Sequence, residues 1–335
     1  MLNEIPVVTT LSNAEFCSLY FETSTPVVIK GFIKNSKAFN NWSPDYLKEL
    51  YKSKMVTLSY NAKGVYNYHR NEVAAVKISF EEAVEHIKKN NSYYIAQSSI
   101  RENYSELLED LGDIPWIQDS DNSKSINLWF GGANCLSPLH YDNMHNFLSQ
   151  VVGSKKLMLY PPADSEYLYP SIRENYTHVS LVDKEHLGDF PRFKEAHPIE
   201  LILEPGDILY LPMYWWHEVL SMDTSISVNY WWNRFEIVDG IGMETVDKDV
   251  LKDLINVYLK DGISIDHKNF EGETNLLKAC DKGYINIVKA LLELGANTDI
   301  PSSKYEGETS LSIAKARGFD EIVEVLSLSK LTRSA

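Results

Sequence analysis

Two stretches near the end of this chain, "EGETNLLKACDKGYINIVKALLELGANTDI" from Glu271 and "EGETSLSIAKARGFDEIVEVLSLS" from Glu306, repeat one unit, with Gly272 and Gly307 in register 35 residues apart. A third stretch, "LKDLINVYLKDGISID" from Leu251, matches the second half of that unit, its Gly262 lying 33 residues before Gly295. Repetition at this period marks units that each carry one apolar face and bury it only by stacking on a neighbour. Half a repeat plus two repeats, residues 245–335, therefore needs a cap, so this all-α segment is expected to lean on what precedes it. That places a boundary near residue 240, without a flexible linker.

The unit resembles the ankyrin repeat. Its elements are Gly-x-Thr-x-Leu at Gly272 and Gly307, an Ala-x-x-x-Gly turn ending at Gly283 and Gly318, the Ile-Val and Leu-Leu pairs, and the Gly-Ala hairpin at Gly295. The resemblance implies a module that recognises protein.

Residues 1 to 240 follow other periods. Up to about residue 120, short helical and strand signals alternate: "TPVVIKGF" is an apolar run closed by Gly31, and "SFEEAVEHIKKN" has helical spacing behind a Ser79 cap. This is an α+β flank. From about 127 to 233 short β runs are punctuated by Gly and Pro, among them "NLWFGG", "NFLSQVVGSKKLMLYPP", "IELILEPGDILYLP" and "TSISVNYWW". Such spacing belongs to a β-sandwich or barrel.

Charge narrows the function. A net charge of −15 works against holding a polyanion through backbone contacts, which need Lys and Arg to displace counterions. Nucleic acid is thus a disfavoured partner. Cys17, Cys135 and Cys280 are odd in number and far apart, so no disulfide framework or zinc-finger spacing is implied, and a reducing, intracellular setting, cytoplasmic or nuclear, is expected. The N-terminal sequence lacks the basic start and apolar run of a secretory signal, and no apolar stretch is long enough to span a bilayer. Delivery into another cell by a signal elsewhere in the chain stays open.

Within the β region, "SPLHYDNMHNF" sets His140 and Asp142 two apart. Strand side chains alternate faces, so both point one way and Tyr141 the other. A strand running from "EPGD" to "YLPMYWWHEV" places His217 just past its end, as a natural third ligand. Two imidazoles and a carboxylate leave three octahedral positions open, which suits Fe(II) that must also hold a bidentate 2-oxo acid and oxygen. Zinc with a bound water is the alternative metal. Trp215, Trp216, Trp231 and Trp232 read as strand-end aromatics that close the core. His145 reads as a rim histidine or one that supports the site from behind, rather than as a fourth ligand, and His178, His186 and His197 read as surface residues.

With their flanks, "SPLHYDNMHNFLSQVVGSKKLMLYPP" and "EPGDILYLPMYWWHEV" resemble the JmjC-domain 2-oxoglutarate oxygenases, most closely the small hydroxylase branch that holds the asparaginyl hydroxylase of hypoxia-inducible factor. The resemblance runs from about residue 25 to 235. It implies a double-stranded β-helix, a jelly-roll form of the sandwich, over residues 1–240. It also implies His140, Asp142 and His217 as iron ligands and Lys155 as the partner of the distal carboxylate of 2-oxoglutarate. Strand parity sets Lys155, Leu157 and Leu159 on one face and the rival Lys156 on the other. Ser137, Asn146, Tyr94 and Asn229 match the hydroxyl and amide groups that complete the cosubstrate pocket.

The implied chemistry consumes 2-oxoglutarate and O2, releases succinate and hydroxylates a C–H bond, here of a protein side chain. Demethylation is the same chemistry on an N-methyl carbon. "ENYTHVSLVD", from Glu174, follows the Asn-x-Ser/Thr-x-Val pattern of these hydroxylases, but Asn175 and Tyr176 stand where the asparaginyl hydroxylase has the Arg-Gln pair that grips its target. The ankyrin unit suggests an ankyrin-repeat protein as substrate. The chain's own repeats carry Asp266 and Asp299 at the corresponding hairpin position, open to self-hydroxylation. Two other readings stay open: an inactive scaffold that binds a partner through the repeats, and a tRNA-base hydroxylase.

Overall fold

A computed structural model of the chain describes residues 2–66, 73–89, 92–117, 122–142, 144–171, 179–233, 246–260, 264–268, 272–302, 304–305 and 307–333. Its contacts divide into two units, one of Met1–Leu11, Thr25–Ile114 and Ser123–Asn233, the other of Ser12–Ser24, Pro115–Asn122 and Arg234–Ala335.

The first unit is a sandwich of two β-sheets. Its strands are β1 (Val7–Val8), β2 (Val27–Ile29), β3 (Met55–Tyr60), β4 (Ala74–Ser79), β5 (Tyr93–Ser99), β6 (Asn122–Gly131), β7 (Leu136–His140), β8 (His145–Val152), β9 (Lys155–Tyr160), β10 (Pro170–Ser171), β11 (Val179–Ser180), β12 (Ile199–Leu203), β13 (Ile208–Leu211), β14 (Trp216–Ser221) and β15 (Ser225–Asn233). The larger sheet runs β1-β2-β13-β8-β15-β6-β5-β3-β4 and the smaller β10-β11-β7-β14-β9-β12. From β6 to β9 and again from β12 to β15, sequence neighbours alternate between the two sheets, as in a jelly roll.

Local chemistry fixes these elements. Gly153 turns the chain from β8 in the larger sheet to β9 in the smaller at φ +68°, where an added Cβ would overlap the Asp223 carboxylate, and that carboxylate accepts the Ser154 N–H at 2.9 Å. The helix Phe80–Lys89 begins at a reciprocal pair in which the Glu82 N–H donates to Ser79 Oγ and the Ser79 N–H to the Glu82 carboxylate, the cap expected from the sequence. Leu157, Leu159, Leu203 and Leu209 are wholly buried in one apolar cluster between the sheets.

The second unit holds the helices Lys248–Lys260, Asn275–Lys282, Ile285–Glu293, Ser310–Arg317 and Asp320–Arg333. The repeat survives as geometry: Thr274 and Thr309 are N-caps, and Gly283 and Gly318 end their helices at φ 77° and 76°, a left-handed C-cap that glycine adopts without steric cost. Leu276, Ile287, Leu291 and Leu326 meet in a single core. Phe16, Phe21 and Trp116 belong to this unit as well, and the Phe21 ring stacks on His267 at 5.0 Å. Among the described residues no helix is long and apolar enough to cross a membrane.

Candidate metal and cosubstrate site

The two sheets of the first unit flank a cleft lined by His140, Asp142 and His217, by Lys155, Tyr94, Ser137, Asn146 and Asn229, and by Trp129 and Trp231. All eight residues singled out in the sequence thus meet in one cavity. The smaller sheet contributes His140 and Ser137 from β7, His217 from β14 and Lys155 from β9. The larger sheet contributes Asn146, Asn229, Tyr94, Trp129 and Trp231.

His217 lies inside β14, directly opposite His140 of β7, with the ring centroids 4.3 Å apart. The sequence reading put it past the end of one long strand. That run instead breaks at Pro212 and Tyr214, and cross-strand pairing, not a loop, brings the two histidines together. Asp142 sits just beyond the end of β7, its carboxylate 3.9 Å from His140 Nε2 and 3.8 Å from His217 Nε2. One potential ligand atom from each of the three lies within 4.8 Å of the others. Tyr141 turns to the other side and packs edge-on against Trp216.

Each imidazole is aimed by its second nitrogen. His140 Nδ1 lies 2.7 Å from the Pro138 carbonyl and His217 Nδ1 lies 2.9 Å from that of Trp215. A carbonyl only accepts, so Nδ1 carries the proton and each Nε2 lone pair faces the cleft. Burial, and then the facing His140, hold the His217 pKa down to about 4, so its imidazole is neutral at physiological pH. The Trp231 indole donates to Asp142 Oδ2 at 2.9 Å. Tyr214, at φ 66°, donates its N–H to the Asp142 carbonyl at 2.8 Å. A tyrosine in the left-handed region is strained, and here the strain serves to hold the turn that carries Asp142.

Deeper in the cleft, Lys155 is 3% exposed. Its Nζ donates to the Tyr94 hydroxyl at 3.5 Å, and no carboxylate pairs with it among the described residues. Burial pulls its pKa down to about 8. A buried ammonium without a counter-ion is costly, and the group that fits is an anion. Three nitrogen and oxygen ligands with positions left open, beside a buried cation, form a donor set that fits a divalent iron and a 2-oxo diacid. Lys156 takes the opposite face and pairs with Glu200 at 2.7 Å.

Some sequence expectations change. Trp231 is not simply a core aromatic, since it reaches Asp142, whereas Trp215, Trp216 and Trp232 are buried. Trp129 was not singled out at all. Strand parity was the available signal: Trp231 shares a face with Asn229, two residues before it. His145 is not on the rim. It faces away from the cleft, 7% exposed, with Nδ1 bonded to the Tyr210 hydroxyl at 2.9 Å. His186 and His197 pair with Asp183 and Asp164. His178, Asn175 and Tyr176 lie outside the described residues.

Two family models match this chain: the cupin-like domain at residues 12–236 and ankyrin repeats, in three copies, at residues 243–332. Lysine-specific demethylase 8 of Xenopus tropicalis is 33% identical over 238 residues, covering 68% of this chain and 53% of that protein. JmjC domain-containing protein D of Dictyostelium discoideum is 34% identical over 244 residues, 64% of this chain and 53% of its own. The human tRNA wybutosine-synthesizing protein 5 is 26% identical over 253 residues, 69% and 78%. The chain thus spans about half the length of the first two.

Proposed function

The chain belongs to the cupin-like domain family, with JmjC proteins among its relatives, and on that premise we propose that it is an Fe(II)- and 2-oxoglutarate-dependent oxygenase that hydroxylates a protein side chain. The ankyrin repeats would serve as its recognition module. The observation that carries this reading is the meeting, in one cleft, of the His140, Asp142 and His217 cluster with a buried lysine that has no counter-ion among the described residues.

In this reading His140, Asp142 and His217 hold the iron, and Lys155 neutralises the distal carboxylate of 2-oxoglutarate. Bound iron and cosubstrate supply the oxidative chemistry, with succinate and carbon dioxide as coproducts. The protein positions and shields. The Pro138 and Trp215 carbonyls fix both imidazoles, Trp231 fixes Asp142, and Tyr94 and Ser137 place hydroxyls along the cosubstrate. Leu148, Leu157 and Val219 line the cleft with apolar surface that excludes water from it.

The substrate is the finer part of the proposal. A protein side chain is favoured by the ankyrin module and by the net charge of −15, which offers little to a tRNA backbone. The tRNA reading draws on the human relative's name, and demethylation on that of the frog relative; both would use the same site. The asparaginyl hydroxylase branch rests on the resemblance of the motifs alone, and an inactive scaffold would not need an intact ligand set beside Lys155.

The test is to load the purified chain anaerobically with Fe(II) and 2-oxoglutarate, admit oxygen, and quantify succinate and intact mass beside His140→Ala. Succinate that requires His140 is expected. If the wild-type chain binds neither metal nor 2-oxoglutarate, the oxygenase reading fails and the scaffold reading replaces it.

A further inference from the structure

Four side chains along one wall of the cleft form a hydrogen-bond network whose direction is set by an indole. The Trp129 indole donates to Asn229 Oδ1 at 2.8 Å. Asn127, two residues earlier on the same face of β6, donates its Nδ2 to that oxygen at 3.1 Å. On its other side Asn229 donates Nδ2 to Asn146 Oδ1 at 3.3 Å. Asn127, Asn146 and Asn229 are all buried, 3%, 6% and 1% exposed.

An amide can turn over, exchanging its oxygen and nitrogen, and its orientation has to be decided by its partners. An indole N–H can only donate. With Trp129 in place, Asn229 must present its oxygen to the indole, because the turned amide would set two donors face to face. The Asn229 NH2 then faces Asn146, which must answer with its oxygen. That commits the Asn146 NH2, which has no partner among the described residues, to the cleft that this residue lines.

We propose that Trp129 is a positioning residue for cosubstrate binding: its indole N–H fixes the Asn229 amide, and so makes Asn146 a hydrogen-bond donor toward an anionic oxygen in the cleft. Asn229 acts through Asn146 and does not itself touch the ligand. The inference rests on the oxygenase reading and deepens it. Without the indole N–H the remaining donor to Asn229 Oδ1 is the Asn127 amide, which can itself turn, so Asn127, Asn229 and Asn146 can turn together, and the turned state aims the Asn146 carbonyl at a carboxylate. Trp129 also packs on the Tyr94 ring at 5.9 Å and edge-on against Trp231 at 6.2 Å, so a test has to separate its bulk from its N–H.

Trp129→Phe keeps the ring and removes only the donor. Calorimetry of 2-oxoglutarate binding to the Mn(II)-loaded full chain under nitrogen is expected to weaken on the order of tenfold. Mn(II) affinity should stay within about twofold, because no group of the metal cluster has been touched. Unchanged 2-oxoglutarate affinity in Trp129→Phe, with binding intact in the wild type, overturns the inference and leaves the oxygenase reading standing. No binding in the wild type overturns both.

A second measurement needs no Trp129 variant. In the wild-type chain labelled with [15N]asparagine and loaded with Zn(II), added 2-oxoglutarate should shift the Asn146 side-chain NH2 pair more than that of Asn229. The two pairs are assigned by their loss in Asn146→Ser and Asn229→Ser. The larger shift at Asn229 overturns the relay.

Discussion

The indole N–H of Trp231 donates to Asp142 Oδ2 at 2.9 Å, tying the carboxylate of the candidate metal cluster to a strand of the opposite sheet. Asp142 stands outside regular structure, so this bond and the Tyr214 N–H are what restrict it. Losing a partner behind a metal ligand typically costs about 10- to 100-fold in metal affinity. Trp231→Phe is expected to lower Fe(II) or Mn(II) affinity by at least about tenfold while leaving the melting temperature nearly unchanged. Equal metal affinity in a competition titration would show that Asp142 is held without it.

How much of this was legible in the chain is decided by the range of the interaction concerned. His140, Asp142 and Lys155 were readable because strand parity is local and Gly153 marks the turn before β9. The position of His217 was misjudged because "YLPMYWWHEV" carries no break stronger than one proline, and the strained Tyr214 that turns the chain has no sequence signature. The contacts of Trp129 and Trp231 are with partners 100 and 89 residues away, a separation no periodicity reports. The helical repeats were plain from their caps. The contribution of Phe16 and Trp116 to that unit was not, since those residues precede it by more than a hundred positions.

In the proposed oxygenase, Lys155 makes cosubstrate binding pH-dependent. Burial lowers its pKa to about 8, and only the ammonium form neutralises a carboxylate. The Kd for 2-oxoglutarate should therefore be flat below about pH 7 and rise as pH climbs through 8. Lys155→Met should weaken binding by about 30-fold or more at neutral pH and abolish this dependence. Stability moves the other way. The unfolded chain holds this proton up to the ordinary value of 10.5 while the folded chain releases it near 8, so raising pH through that window favours the folded state. Denaturant titrations of wild type and Lys155→Met at pH 7 and 9.5 check the sign.

Gly131 lies opposite Tyr94 in the β5–β6 pairing, and a Cβ there would overlap the Tyr94 ring and come within 3.2 Å of Cys135 Sγ. The ring cannot yield without leaving Lys155, to which its hydroxyl is bonded. Gly131→Ala is expected to cost about 1–3 kcal/mol of stability and to raise the KM for 2-oxoglutarate. Gly131→Ala combined with Tyr94→Phe should recover little of either, because it is the ring and not the hydroxyl that collides.

In the helical unit Asp266 Oδ1 accepts the Asn297 N–H at 2.8 Å, so this carboxylate links one hairpin to the next. Asp266→Asn, which keeps the acceptor, should be tolerated, whereas Asp266→Ala should cost about 1 kcal/mol. Both are readable by thermal melting of the full chain. If oxygen turnover adds a hydroxyl to Asp266, intact-mass analysis will find it in the wild type and not in His140→Ala.

Gly283 and Gly318 separate backbone strain from packing. They occupy equivalent positions of successive repeats at nearly the same φ, so an alanine at either meets the same left-handed penalty, about 1 kcal/mol. Only at Gly283 would the added Cβ also press on a neighbour, the Phe319 ring at 2.8 Å, while nothing lies within 4 Å at Gly318. Gly283→Ala should therefore destabilise more than Gly318→Ala by an overpacking cost of about 1 kcal/mol or more. Gly283→Ala with Phe319→Leu should narrow the difference. Equal melting temperatures for the two single variants would mean that the Phe319 ring moves aside freely and that strain alone sets the cost.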